Sequence, residues 1–225
     1  METTLMLQAL EIIWVNILLS GDNAVVIALA CRSLPDSQRN KAVMMGAGAA
    51  VVLRIVFTLM TTALMGLPWV KLIGGIVLLW IAIKLLVPED EDPDVAAHNS
   101  LWRAVQTVAI ADVVMSLDNV IAIAAVAKGN WALIIFGLLV SIPLVVFGSQ
   151  LIMNIMNRYP VVIWLGAALL GYVAAEIMIE DTVVAGFFAG KYTHWFAEAL
   201  GVFIVLFVGF LLRRKKMLGS EASAH

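Results

Sequence analysis

The sequence contains a single cysteine, Cys31, in 225 residues. One cysteine excludes an intrachain disulfide and any Cys-x-x-Cys metal or redox motif. Charged residues are also scarce, at 13% of the chain, where an average soluble protein has about a quarter. The 14 basic residues are matched by 16 acidic ones, so the chain lacks the positive field that attracts a phosphate backbone. Nucleic-acid binding is therefore excluded, and the fold has to be held together by packing.

Apolar side chains, in contrast, are abundant. They make up 63% of the sequence, and the mean hydropathy is +1.01. A soluble core does not use this many, so we expect the excess to face lipid. A bilayer span needs about 20 mostly apolar residues. Seven stretches qualify, at about residues 5–31, 41–65, 68–87, 102–127, 131–157, 161–179 and 195–212. The sequence predicts an all-α membrane protein with seven transmembrane helices.

The distribution of lysine and arginine predicts the orientation of these helices. Positive residues are enriched in the cytoplasmic loops of membrane proteins. If the N-terminus is outside, ten lysine and arginine residues fall on the inner side and three on the outer side, and the remaining one, Arg54, lies within a span. This bias favours an N-out, C-in topology.

The chain also contains an internal repeat. Ser20-Gly-Asp-Asn-Ala-Val-Val-Ile-Ala28 in the first span matches Ser116-Leu-Asp-Asn-Val-Ile-Ala-Ile-Ala124 in the fourth, 96 residues later. Each copy has three spans, so the second copy must enter the membrane from the opposite face. We therefore predict a first three-helix repeat (1–87), an acidic cytoplasmic linker (88–100), a second, inverted repeat (101–183), an outer loop with the seventh helix (184–212) and a basic cytoplasmic tail (213–225). Inverted repeats are typical of secondary transporters.

The two copies place polar residues inside the membrane. A carboxylate at the bilayer centre costs about 2.5–3.5 kcal/mol, so Asp22 and Asp118 are expected to face the protein interior. Helical spacing puts a polar stripe beside each of them. The stripes consist of Asn16, Ser20 and Asn23 in the first copy, and of Asp112, Ser116 and Asn119 in the second. The aspartates lie off these stripes, so we expect the helices to unwind at the motifs.

These side chains form a hard, oxygen-only ligand set, which suits magnesium, calcium or manganese. The three histidines lie in predicted loops or at the terminus, which argues against zinc or copper. The alternative is that the polar groups only join helices through hydrogen bonds. Arg54 either neutralises an empty site or pairs structurally with a carboxylate. Glu11 and Glu176, with Glu180 and Asp181, either line an exit path or form the outer ends of the helices.

The Gly-Asp-Asn-Ala-Val-Val-Ile and Ser-Leu-Asp-Asn-Val-Ile-Ala segments resemble the TerC family of bacterial membrane proteins, in particular its short, seven-span branch. The resemblance covers nearly the whole chain. It implies manganese efflux across the plasma membrane, or metal supply to exported enzymes. It also implies a metal-binding role for Asp22, Asn23, Asp118 and Asn119, and for Asp112. Some relatives carry an acid where this chain has Asn16.

The combined prediction is a secondary transporter that exports a divalent cation, with Mn²⁺ as cargo, by alternating access. It is not predicted to be an enzyme or to hold a permanent cofactor. No nucleotide-binding motif is present, and moving two charges outward against the membrane potential costs about 4.6 kcal/mol per 100 mV, so we expect coupling to protons. Two alternatives remain. One is an accessory protein that delivers metal to exported proteins without transporting it, and the other is an intramembrane aspartyl protease. The expected partners are the divalent ion, protons and lipid, and contact with the secretion machinery or with a second copy in a homo-oligomer is left open.

Overall fold

The computed structural model describes residues 10, 13–14, 21–64, 67–87, 97–127, 131–188 and 190–222, and for some of them the backbone alone. The described residues form α-helices and one short 3-10 helix, with no strand among them. The helices are α1 (Gly21–Cys31), α2 (Asp36–Leu64), α3 (Val70–Leu86), α4 (Ala97–Ala127), α5 (Trp131–Arg158), α6 (Val161–Ile179) and α7 (Lys191–Ala222), with the 3-10 helix at Ala185–Phe188 before α7. The predicted all-α class is confirmed.

Two of the described helices are long and apolar enough to cross a bilayer, judged by length and composition. They are Val161–Ile179, which coincides with the predicted sixth span, and Tyr192–Lys216 within α7. The helices α2 to α5 occupy the other predicted stretches from residue 41 onward. The seven-span topology, its orientation and the inverted repeat stay predictions.

Two helix ends differ from the sequence expectations. Helix α4 already begins at Ala97, so the last four residues of the predicted linker are helical. Helix α7 continues to Ala222, through the basic segment predicted to be a tail. Neither extension contains a proline, so no residue in them breaks the helix.

The helices divide into two compact units, of residues 1–67 with 96–157 and of residues 68–95 with 158–225. The first unit is built on the packing of α2 against α4, with α1 lying against both. Gly46 on α2 permits this approach, because a Cβ there would be 3.2 Å from a methyl group of Val108 on α4. The predicted repeats are sequence units, and their boundaries do not coincide with those of the compact units.

The second unit packs α6 against both α3 and α7, and its helices meet at glycines. A Cβ on Gly171 of α6 would lie 2.8 Å from the carbonyl oxygen of Gly201 on α7. A Cβ on Gly75 of α3 would lie 2.6 Å from the carbonyl oxygen of Ala174 on α6. Both distances are too short for a real side chain, so these backbones are in direct contact. Close contact at small residues is the usual way in which membrane helices associate.

Asp181, in the loop after α6, stabilises the start of α3. Its Oδ1 accepts hydrogen bonds from the backbone N–H groups of Trp69 (3.2 Å) and Val183 (3.0 Å), and its Oδ2 accepts one from Leu72 (3.1 Å). Trp69 precedes α3 with a φ of 72°, and its own side chain makes no capping bond. Asp181 thus satisfies N–H groups in the first turn of α3 that have no partner within that helix.

Asp181 is 2% exposed, so it is not the solvated outer residue that one reading of the sequence expected. Burial raises the pKa of its carboxyl, but the backbone N–H donors outweigh this effect and hold the pKa below its usual value. Its neighbour Glu180 does remain exposed, and it forms an ion pair with Lys71 at 2.7 Å.

Candidate metal site

A buried ion pair joins α2 and α4 in the first unit. The Nη2 atom of Arg54 lies 2.6 Å from Oδ1 of Asp112. Arg54 is 4% exposed and Asp112 is 5% exposed. A buried charge is very costly unless it is paired and hydrogen-bonded, which explains why these two side chains lie together.

Ser116, one turn after Asp112 on α4, completes the group. Its hydroxyl donates to Oδ2 of Asp112 at 3.0 Å and accepts a hydrogen bond from Nε of Arg54, also at 3.0 Å. The serine side chain is fully buried. The predicted polar stripe therefore exists for its first two members, because Asp112 and Ser116 lie on one face of α4 and are bonded to each other.

This group borders a pocket between the helices of the first unit. The pocket is small, with a cavity volume of about 20 Å³ open to the centre of a water-sized sphere. Three polar side chains line it, one from each of three helices, namely Asn23 of α1, Arg54 of α2 and Asp112 of α4. The rest of its wall is apolar and consists of Val26, Ile27, Ala47, Ala50, Val51, Val108, Ile142 and Val145. A mostly apolar pocket with a few converging polar groups is typical of a ligand site.

The first Asp-Asn motif takes part in this pocket through Asn23, which lines it. Oδ1 of Asp22 accepts a hydrogen bond from the backbone N–H of Asn23 at 2.7 Å. Asp22 is partly exposed, whereas Asn23 is 4% exposed. Arg54 and Asp112 are both close enough to interact electrostatically with the Asp22 carboxylate. Asp22 and Asp112, predicted from different copies of the repeat, thus belong to one electrostatic group around Arg54.

Several predicted site residues lie outside this description. Glu11, Asn16 and Ser20 are not among the described residues, and for Asp118 and Asn119 only the backbone is described. That backbone is helical throughout, because α4 runs without interruption from Ala97 to Ala127. The expected unwinding at the second motif is therefore wrong, since the backbone hydrogen bonds of α4 continue through it.

Glu176 lies on α6 in the second unit, and it is not among the residues that line the pocket. The polar residues of the pocket wall were all identified from the sequence. Its apolar residues were not, because nothing distinguishes Ala47 or Val145 from the other apolar residues of their helices.

The described side chains supply carboxylate, amide and hydroxyl oxygens, which are the ligands that hard cations prefer. No cluster of three or more His, Cys, Asp or Glu side chains occurs among the residues whose side chains are described. A complete cation site would therefore need further oxygens, from Asp118, Asn119, the backbone or water.

Comparisons with known proteins agree with a membrane location. Residues 1–217 match the model of the integral membrane protein TerC family. The chain is 39% identical over 189 residues to the uncharacterized membrane protein YjbE of Bacillus subtilis, covering 84% of this chain and 87% of the relative. It is 33% identical to the uncharacterized membrane protein YceF of the same organism, over 54% of this chain and 51% of YceF.

A more distant relative is the inner membrane protein YoaE of Escherichia coli K12. It is 24% identical over 99% of this chain, which spans only 46% of YoaE. No solved structure matches the chain.

Proposed function

The chain belongs to the TerC family of integral membrane proteins, and on this premise we propose that it is a secondary transporter that exports a divalent metal cation, with Mn²⁺ as the cargo, from the bacterial cytoplasm. It works by alternating access, it is coupled to protons, and it needs no permanent cofactor. Its metal-binding groups are Asp22, Asn23, Asp118 and Asn119, with Asp112, Ser116, Asn16 and Ser20 around them.

One observation carries this proposal, the pocket lined by Asn23, Arg54 and Asp112 with Asp22 nearby. Ionisable groups inside a membrane protein are costly and usually mark a path for ions. Hydrogen bonding between helices alone would not require a carboxylate, an amide and a guanidinium to line one cavity. The oxygen ligands favour a hard cation, and the two Asp-Asn motifs provide the two negative charges that balance a divalent one.

The proposal is tested by transport of Mn²⁺ into inside-out membrane vesicles and into liposomes that contain the purified protein. Wild-type protein is expected to accumulate Mn²⁺, and an imposed pH gradient is expected to change the rate. The Asp22→Asn, Asp118→Asn double variant should lose accumulation, because its site has lost both charges. Glu180→Gln serves as a matched control that removes an exposed carboxylate paired with Lys71.

The outcomes separate the alternatives. Uptake that persists in the double variant would refute the site, and uptake that ignores the pH gradient would refute the proton coupling. A purified protein that binds Mn²⁺ but does not transport it would indicate the accessory role in metal delivery.

A further inference from the structure

Both carboxylate oxygens of Asp112 have a hydrogen-bond partner in the structure. Its Oδ1 binds Nη2 of Arg54 and its Oδ2 accepts the hydroxyl of Ser116. A metal ion that bound this carboxylate would be repelled by the adjacent guanidinium, so separation of Arg54 from Asp112 would favour metal binding. The pocket therefore already contains a cation that belongs to the chain itself, and this cation competes with any incoming one.

The pair also balances charge in the absence of cargo. A carrier that alternates between two faces has to make its return journey without the metal ion that it released, and under the proposed coupling protons then neutralise Asp22 and Asp118 but not Asp112. A bare carboxylate at membrane depth makes that step costly. With the positive Arg54 on Asp112, this part of the pocket carries no net charge when it is empty.

Helix α2 provides space beside the guanidinium. Ala50 and Ala47 lie one and two turns before Arg54, and both line the same pocket. Long side chains on a helix lean toward the preceding turn, so Arg54 has small neighbours where it would need to move. The two partners come from different helices, so their separation would link the occupancy of the site to the contact between α2 and α4.

We propose that Arg54 is the counter-cation of the empty transporter. Its guanidinium holds Asp112 while no metal is bound, releases it to the arriving divalent cation, and returns when that cation leaves. This inference rests on the proposed transport function and adds a role within it, because Arg54 makes the unloaded return step possible. The expectation is that a carrier without Arg54 still exchanges metal for metal and is deficient only in the unloaded step.

The test compares two fluxes of radioactive Mn²⁺ in liposomes containing the full chain. Net flux is measured into a compartment without Mn²⁺, so the carrier has to return without metal after each delivery. Exchange is measured with Mn²⁺ on both sides, so the carrier returns with metal bound. Arg54→Gln is expected to lower net flux by about 10-fold or more and to retain exchange. Arg54→Lys keeps the charge and is expected to retain more net flux than Arg54→Gln. Arg39→Gln is the matched control, because Arg39 lies on the same helix and pairs with the exposed Asp36 outside the pocket.

Wild-type net flux in Arg54→Gln would overturn the inference, and so would loss of both fluxes in folded Arg54→Gln and Arg54→Lys proteins. If Arg54→Gln does not fold, the charge-balanced Arg54→Gln, Asp112→Asn double variant replaces it. Net flux in that variant supports the counter-cation role, and exchange without net flux contradicts it. Absence of both fluxes in the wild type would instead refute the proposed transport function.

Discussion

The first unit, which contains α2 and α4, buries a guanidinium and a carboxylate between its helices. In the second unit, which is built from α3, α6 and α7, glycines of one helix contact the backbone of the next. The buried carboxylate described in the second unit, Asp181, lies in the loop after α6 and serves a helix end. Polar groups in the first unit border a cavity, and those in the second unit complete its secondary structure. The buried polar groups of the first unit therefore fit the proposed cation site, whereas the buried carboxylate of the second unit has a structural role at a helix end.

The largest effect is expected from breaking the buried pair on one side only. Asp112→Ala leaves the Arg54 guanidinium buried without its carboxylate, and it should lower the free energy of unfolding by about 3–5 kcal/mol. Replacing both partners with apolar residues, as in Arg54→Met with Asp112→Leu, should restore most of this stability. Unfolding in mixed SDS micelles measures both variants.

The double replacement also distinguishes a functional pair from a structural one. If the pair serves transport, the double variant is stable but takes up Mn²⁺ more weakly than wild type, because Asp112 no longer supplies a metal ligand although the empty pocket stays uncharged. If it remains as unstable as Asp112→Ala, the pair contributes to stability and the contrast between the two units is lost.

An intermediate effect is expected at the glycine contact of the second unit. A Cβ on Gly201 would lie 2.7 Å from the Cβ of Ala175 and even closer to the carbonyl of Gly171. Gly201→Ala should therefore lower the free energy of unfolding by about 1–3 kcal/mol, the usual cost of overpacking. The same unfolding assay measures it.

Gly48→Ala is the matched control, since this helical glycine of the first unit has no neighbouring atom within 4 Å of an added Cβ. Its stability should be unchanged, or higher by up to about 1 kcal/mol, because alanine is the better helix former. Equal losses of stability in Gly201→Ala and Gly48→Ala would show that the close backbone contact at Gly201 does not cause the loss.

The smallest effect is expected at the helix cap. Asp181→Asn keeps an acceptor but loses the negative charge at the start of α3, and it should cost about 1 kcal/mol at neutral pH. The pKa of Asp181 is held below its usual value, so its contribution is complete above about pH 4 and disappears as the pH falls through the lowered pKa. The difference in melting temperature between wild type and variant should therefore narrow from pH 6 to pH 3.

Glu180→Gln removes the neighbouring exposed carboxylate and should change stability by less than about 1 kcal/mol. A difference in melting temperature between wild type and Asp181→Asn that stays constant from pH 6 to pH 3 would contradict the role of the charge.

The sequence predicted those features that depend on local spacing. The sixth span was placed at residues 161–179, where α6 lies, because a long apolar run between a proline and an acidic pair has clear ends. The Asp112 and Ser116 stripe was predictable because residues four apart on a helix lie on one face. The family was also evident, from the two Asp-Asn motifs.

Features that depend on which helices are neighbours were not predictable. Arg54 and Asp112 are 58 residues apart, and the sequence left the partner of Arg54 open. Asp181 reaches backbone groups 109 and 112 residues before it, and a backbone N–H is invisible in a sequence pattern. The internal repeat did not indicate that Gly171 meets Gly201.

The contact between Gly171 and Gly201 has a mechanical consequence. The two main chains approach closely only where both helices carry glycine, since a Cβ on Gly171 would lie 2.8 Å from the carbonyl oxygen of Gly201 and a Cβ on Gly201 would lie 2.7 Å from the Cβ of Ala175. We expect this contact to resist sliding of α6 along α7, so that the two helices move together in any conformational change.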